Sequence, residues 1–227
     1  MVTTRYVAII PAAGVGSRFN SAIPKQYVKI GEFTILERAV MPFLQITDIH
    51  KVLIVVQKDD KYIDNINKIL NNPKVEIAQV GGETRADTVL SGINYLKDTL
   101  NDTDWILVHD AARCYITRDM ITNQIHQLKD DAVGGILAIP VTDTVKEVNN
   151  LIITKTLNRN NTYLAQTPQM FRYGVLYKAL SICNTANITD EASAVEKLNL
   201  PVKIILGDVK NIKITDVHSF SSKSELC

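Results

Sequence analysis

Short, continuous apolar runs alternate along this chain with stretches of helical periodicity, and that alternation constrains the fold more than any other feature. Tyr6-Val7-Ala8-Ile9-Ile10, Val52-Leu53-Ile54-Val55-Val56, Trp105-Ile106-Leu107-Val108, Gly135-Ile136-Leu137-Ala138-Ile139 and Val202-Lys203-Ile204-Ile205-Leu206 read as strands, and residues 75–80 as a further one. A strand that is apolar throughout must be covered on both faces, the condition of a parallel sheet between helical layers. Thr34-x-x-Glu37 forms a capping box ahead of Ile35, Leu36, Ala39, Val40, Phe43 and Leu44, which share one helix face, with Pro42 expected to bend it. The same spacing recurs at Ile63, Ile66, Ile69 and Leu70, at Ala86, Val89, Leu90, Ile93 and Leu96, and at Ile121, Ile125 and Leu128. Val195 and Leu198 follow a cap expected at Thr189. The expectation is an α/β fold with a mostly parallel sheet. Residues 145–161 break the pattern: they are polar, with a turn signal at Asn149-Asn150 between short β-like runs, and read as a hairpin arm standing off the sheet.

Composition narrows the partners. Of 227 residues, 25 are Lys or Arg and 24 are Asp or Glu, so a strongly basic nucleic-acid surface is excluded. Cys114, Cys183 and Cys227 are odd in number and widely spaced, and His50, His109, His126 and His218 lack metal-ligand spacing. Neither a disulfide framework nor a zinc site has a basis here. The start of the chain lacks a signal-peptide pattern, and no apolar stretch approaches the ~20 residues of a membrane span. A cytoplasmic chain is expected.

The loop after the first strand, Pro11-Ala12-Ala13-Gly14-Val15-Gly16-Ser17-Arg18, stands where ligands bind in open α/β sheets, beyond the strand's carboxyl end. A dinucleotide fingerprint would need glycine where Phe19 stands, and a Walker lysine-serine is absent. A small-residue turn with no ligand explains the glycines equally well. Arg18 and Lys25, seven residues apart with Pro24 stiffening the approach, tip the reading towards a polyphosphate.

Ala12-Ala13-Gly14-x-Gly16-x-Arg18 followed by Pro24-Lys25-Gln26-Tyr27 resembles sugar-nucleotide-type nucleotidyltransferases. Further motifs narrow the likeness: the run from Gly81 to Val89, His109-Asp110-Ala111-Ala112-Arg113, Asp143-Thr144-Val145-Lys146, Gln166-Thr167-Pro168-Gln169, Thr189-Asp190-Glu191-Ala192 and Asn211-Ile212-Lys213-Ile214-Thr215. In this order they resemble the 2-C-methyl-D-erythritol 4-phosphate cytidylyltransferase family, over nearly the whole chain. Cys114 stands where the family usually has proline, and residues 217–227 lack its usual terminal helix.

The resemblance implies a single nucleotidyltransferase domain, residues 1–227, built as a Rossmann-like three-layer sandwich with a protruding β-arm at about 141–162. It implies that CTP and a polyol phosphate, 2-C-methyl-D-erythritol 4-phosphate, are joined to give 4-diphosphocytidyl-2-C-methyl-D-erythritol and pyrophosphate, in the non-mevalonate isoprenoid precursor pathway. Mg²⁺ would be held mainly by the CTP phosphates, with no protein ligand assigned. Arg18, Lys25, Arg159 and Lys213 would be catalytic. Pro11, Ala12, Ala13, Gly14, Gly16, Gly82, Glu83, Arg85, Thr88 and Asp110 would bind the nucleotide, and Asp110, Arg113, Thr144, Arg159, Thr167, Thr189 and Lys213 the acceptor. A homodimer is implied in which arms cross and Arg159 serves the neighbouring site, without nucleic acid or membrane as partners. A ribitol 5-phosphate cytidylyltransferase shares the loop and the arm and is the alternative. A nucleotide sensor with a dead transferase site is a further reading, against which both Arg18 and Lys25 argue.

Overall fold

The computed structural model describes residues 4–14, 23–183, 185 and 188–215. In chain order the elements are β1 (Tyr6–Pro11), a 3₁₀ turn (Lys25–Tyr27), β2 (Lys29–Ile30), β3 (Phe33–Thr34), α1 (Ile35–Leu44) and β4 (Ile49–Val55). A second 3₁₀ turn (Ile63–Ile66) leads into α2 (Asn67–Leu70), followed by β5 (Val75–Ala78), α3 (Arg85–Tyr95), β6 (Trp105–Val108), α4 (Arg118–Leu128) and β7 (Gly134–Pro140). Then come β8 (Lys146–Asn149), β9 (Ile152–Thr156), a third 3₁₀ turn (Arg159–Asn161), β10 (Tyr163–Arg172), α5 (Tyr173–Ile182), α6 (Glu191–Glu196) and β11 (Lys203–Leu206).

Seven strands form one sheet in the order β11-β7-β10-β6-β1-β4-β5. All neighbours run parallel except β10, which is antiparallel to both β6 and β7. Alternate strand residues feed two apolar clusters. Ala8, Ile10, Val52, Ile54 and Leu107 meet Leu36, Val40, Phe43, Ile121 and Ile125 of α1 and α4. Val7, Ile9, Leu53, Val55 and Val108 meet Val89, Ile93, Leu176, Leu180 and Val195 of α3, α5 and α6. Both strand faces are therefore covered, as the unbroken apolar runs require, and the expected α/β sandwich is found.

The expected Thr34–Glu37 capping box is present, and α1 runs on through Pro42. The cap expected at Thr189 belongs instead to Asp190, whose carboxylate accepts the Ser193 N–H at 2.9 Å. The hairpin turn is one residue later than expected: Asn150 and Leu151 take φ of 48° and 65° between Asn149 and its partner Ile152. Two positive φ values match the twist of the flanking strands. β8 and β9 form a separate two-stranded sheet whose residues are exposed throughout, with Val148, Leu151, Ile152 and Ile153 clustered near its end. β10 and α5 escaped the sequence reading. Gln166, Thr167, Pro168 and Gln169 interrupt the apolar pattern of β10, although all four are buried.

Candidate active site

The carboxyl end of β1 opens the site. The Ala12 N–H still donates to the Val55 carbonyl at 2.8 Å, and beyond it the loop faces the turn between β5 and α3. There the Gly81 N–H donates to the Val56 carbonyl at 2.8 Å, and a Cβ on Gly81 would stand 2.5 Å from that of Ala13. Only glycine lets the two loops approach this closely. Thr88, buried in α3, holds the turn: its hydroxyl oxygen accepts the Gly82 N–H at 3.2 Å and donates to the Thr84 carbonyl at 2.9 Å.

The 3₁₀ turn Lys25–Tyr27 flanks the loop. With three residues per turn, successive side chains diverge by a third of a circle. Lys25 Nζ donates to the Ile214 carbonyl at 3.2 Å. Gln26 Nε2 donates to the carbonyls of Ala12 at 2.7 Å and Gly14 at 3.0 Å. Tyr27 sits in the core, its hydroxyl donating to the Asp60 carboxylate at 2.8 Å.

These segments enclose a cleft of about 170 Å³ lined by Pro11, Ala12, Ala13, Gly14, Lys25, Gln26, Gly82, Glu83, Thr84, Arg85, Thr88, Asp110, Ala111, Ala112 and Lys213. A second cavity of about 300 Å³ is lined by Arg113, Ala165, Gln166, Thr167, Gln169, Thr189 and Asp190. It shares Arg85, Asp110 and Lys213 with the first.

Asp110, just past β6, is the hinge between the cavities. Arg85 Nε lies 2.7 Å from one carboxylate oxygen, and Lys213 Nζ lies 2.9 Å from the other, with Arg113 Nε further off at 3.7 Å. Burial alone would raise the Asp110 carboxyl, but the Arg85 and Lys213 charges outweigh it and hold it well below the usual carboxylate range. Arg85 is gripped from behind by buried Glu191, whose two oxygens accept from Nη1 at 2.7 Å and Nη2 at 3.0 Å. This bidentate pair joins the first turn of α6 to the first turn of α3.

The middle of β10 holds the surrounding loops. Its register against β7 shifts between Ala165 and Gln169, which frees these residues from the ladder. Gln169 Oε1 accepts the Ala192 N–H at 2.9 Å, and its Nε2 donates to the Asp190 carboxylate at 2.8 Å. The Thr167 carbonyl accepts Asn211 Nδ2 at 2.8 Å, securing the segment that carries Lys213. Arg113 donates to the Asn211 and Ala165 carbonyls at 2.7 and 3.2 Å.

Thr167 Oγ1 also accepts the Asp110 N–H at 3.0 Å and lies 3.0 Å from His109 Nδ1, while His109 Nε2 lies 3.1 Å from the Arg113 carbonyl. A carbonyl only accepts, so Nε2 carries the proton and Nδ1 accepts from Thr167. Burial pushes the fully buried His109 down to about 4, against the opposing Asp110 charge, and keeps it neutral. The unfolded chain therefore binds more protons than the folded one between pH 6.5 and 4, and stability falls as the pH drops through that window. His109 is expected to account for roughly 2–3 kcal/mol of the loss by pH 4.5. Urea unfolding from pH 7.5 to 4.5 checks this: His109→Gln should flatten the acid slope by that amount, and an unchanged slope would refute it.

Of the residues expected from the sequence, Pro11, Ala12, Ala13, Gly14, Lys25, Gly82, Glu83, Arg85, Thr88, Asp110 and Lys213 converge on the first cleft. Arg113, Thr167 and Thr189 converge on the second. Thr144 and Arg159 line neither: they stand exposed at the base of the arm, with Arg159 Nη1 donating to the Thr142 carbonyl at 3.2 Å. Gly16 and Arg18 lie outside the described residues. Gln26, His109 and Glu191 were not singled out from the sequence. An acid in the first turn of a helix is locally explained by the helix itself, and only three-dimensional proximity reveals the pairing of Glu191 with Arg85.

The geometry has close counterparts. The family model of the 2-C-methyl-D-erythritol 4-phosphate cytidylyltransferases matches residues 6–224. A relative of that name from Neisseria meningitidis serogroup C is 44% identical over 211 residues, covering 92% of this chain and 91% of the relative. Another from Chromobacterium violaceum is 42% identical and covers 92% of each chain. The crystal structure of a 4-diphosphocytidyl-2C-methyl-D-erythritol synthase superposes with a TM-score of 0.83 at 38% identity, over 100% of this chain and 97% of the other. The crystal structure of the Francisella tularensis 2-C-methyl-D-erythritol 4-phosphate cytidylyltransferase gives 0.83 at 35% identity, over 99% and 100%. By motif order, fold and likeness along nearly its whole length, this chain belongs to the 2-C-methyl-D-erythritol 4-phosphate cytidylyltransferase family.

Proposed function

We infer that the chain joins CTP to 2-C-methyl-D-erythritol 4-phosphate, giving 4-diphosphocytidyl-2-C-methyl-D-erythritol and pyrophosphate, as one nucleotidyltransferase domain with an arm at about 141–162. The observation that carries this reading is the pair of adjoining cavities with Asp110, Arg85 and Lys213 in their common wall. One cavity takes the nucleotide, the other takes the acceptor, and the phosphates meet where the cations are.

An acceptor phosphate oxygen forms a bond to the α-phosphorus, and the bond from that phosphorus to the β-phosphate bridging oxygen breaks. A phosphomonoester is largely dianionic at pH 7, so no general base is needed. The demand is for charge neutralisation and alignment. Lys25, with Arg18 and Gly16 of the same motif, is assigned to the triphosphate. Pro11, Ala12, Ala13, Gly14, Gly82, Glu83 and Thr88 are assigned to the cytidine, and Arg85 and Asp110 to the wall beside it. Arg113, Thr167, Thr189 and Lys213 are assigned to the acceptor, with Thr144 and Arg159 reaching it from the arm of a second copy.

Mg²⁺ accompanies the triphosphate in this reading. Among the described residues no three His, Cys, Asp or Glu side chains are arranged to hold a cation. The ion assigned here is one that keeps several of its waters and takes its other oxygens from substrate phosphates. When bound, it lowers the charge that two approaching polyanions present to each other.

The homodimer rests on the exposed arm. A lone two-stranded hairpin is marginal in water, and this one carries Val148, Leu151, Ile152 and Ile153 on its surface. Among the described residues no helix is long and apolar enough to cross a membrane. With its scarce cysteines the chain is assigned to the cytoplasm.

Pyrophosphate release tests the function. Turnover is expected with CTP, Mg²⁺ and 2-C-methyl-D-erythritol 4-phosphate, at kcat/KM at least ~100-fold above that with ribitol 5-phosphate, because a pocket built for one set of hydroxyls leaves polar groups unpaired against another. Faster turnover of ribitol 5-phosphate would reassign the acceptor, and no turnover with either would leave a nucleotide sensor.

A further inference from the structure

We propose that Gln26 is a positioning residue for the nucleotide: it holds the main chain that reads the base, and so sets both the affinity for CTP and the discrimination of cytosine from uracil. The proposal rests on the reading of the first cleft as a CTP site. Gln26 is 4% exposed and belongs to the wall of that cleft. Its single amide nitrogen donates to two carbonyls of the glycine loop, Ala12 at 2.7 Å and Gly14 at 3.0 Å, so both hydrogens of the amide are spent on this loop. The side chains on either side of Gln26 leave in other directions, Tyr27 into the core towards Asp60 and Lys25 towards Ile214. The buried tyrosine fixes where the turn sits, and the turn fixes where the amide of Gln26 can reach.

Ala13 lies between the two tethered carbonyls. It is 5% exposed and lines the cleft, and among the described residues neither its N–H nor its C=O has a hydrogen-bond partner. Main-chain groups this sheltered are nearly always paired, so an unpaired donor and acceptor on one residue of a cavity wall mark a place for a ligand edge. Cytosine presents a ring-nitrogen acceptor beside an amino donor and complements such a pair. Uracil presents the reverse order and sets donor against donor and acceptor against acceptor. Reading by main chain is only as strict as the main chain is rigid. With Ala12 and Gly14 tied to one amide, the peptide groups of Ala13 cannot turn to suit the wrong base.

Steady-state kinetics of the full chain with CTP and with UTP, at saturating acceptor, test this through Gln26→Met, which keeps the length and loses both donors. Gln26→Glu keeps the shape and turns an oxygen on the two carbonyls, and it carries the same test should the methionine variant fail to fold by circular dichroism. Both are expected to raise KM for CTP about 10-fold or more. The preference for CTP over UTP in kcat/KM should fall by a similar factor, and KM for the acceptor should stay within about twofold of the parent value. A folded variant that keeps the parent's KM for CTP and its CTP-to-UTP ratio overturns the proposal. So does one that loses CTP and UTP equally, or that weakens the acceptor as much as the nucleotide, because general loosening of the fold explains those results. A parent chain without CTP turnover would instead overturn the nucleotide assignment, an outcome distinct from any of these.

Discussion

Lys25→Ala is expected to cut turnover by ~10²-fold or more while CTP affinity falls much less, as happens when a donor aimed at developing charge is removed. The side chain starts from the rigid 3₁₀ turn beside the glycine loop, and its ammonium reaches the segment that carries Lys213. In the proposed function it therefore lies between the loop assigned to the nucleotide and the segment assigned to the acceptor, where the α-phosphate would pass from one oxygen to another. In that reading ground-state binding would be shared among several main-chain groups, the metal carried by CTP and the base contacts, so the loss of one cation would be diluted there. In the transition state the charge is concentrated on the transferring phosphorus oxygens, and the loss is felt in full. Single-turnover and steady-state kinetics separate the two. A variant with raised KM and unchanged kcat would show that Lys25 binds substrate and transition state alike.

The second large effect is a recovery. Lys25→Ala and Arg159→Ala are each expected to be nearly inactive, yet a mixture should regain about a quarter of the parent's sites. Arg159 stands exposed at the base of the arm and lines neither cavity of its own chain. If arms cross about a two-fold axis, the site of a mixed dimer that takes Lys25 from one chain and Arg159 from the other carries no lesion. The second site carries both. Random exchange makes about half of the dimers mixed, and one site in each is whole. Co-refolding the two variants and measuring pyrophosphate release gives the answer. Activity that stays at the level of the separate variants, with exchange confirmed, would show that Arg159 does not serve the neighbouring site.

The strands of the sheet were legible in the sequence because helices cover both faces, which leaves Val7 to Ile10 and Leu53 to Val55 apolar without interruption. β10 was not, because its buried middle is polar: Gln166, Thr167 and Gln169 sit inside as fasteners for other loops rather than as core. The lining of the first cleft was legible for a related reason. Its residues cluster in two short segments, 11–14 and 82–88, whose glycines mark close main-chain approach. The pairing of Arg85 with Glu191 spans 106 residues and leaves no local trace, since a glutamate opening a helix is explained by the helix alone. The role of His109 is hidden likewise. Nothing in His109-Asp110-Ala111-Ala112-Arg113 says that the ring is fully buried and holds the turn closed from inside.

The position of β10 also has a consequence for how the molecule comes into being. In a chain growing from its first residue, β1, β4, β5, β6 and α3 are all made by about residue 110, and with them most of the residues that line the first cleft. The edge of β6 then stays bare until residues 169–172 arrive to pair with it, more than 60 residues later. Until that strand slots in, nothing ties Asp110 to Thr167, nothing seats α6 on Gln169, and Lys213 has not yet been made. Chain closure over such a separation is slow, and an open strand edge is an invitation to aggregate. The second cavity is thus the last part of the site to mature, since Thr167 and Gln169 lie in the strand that closes the sheet and Lys213 follows it.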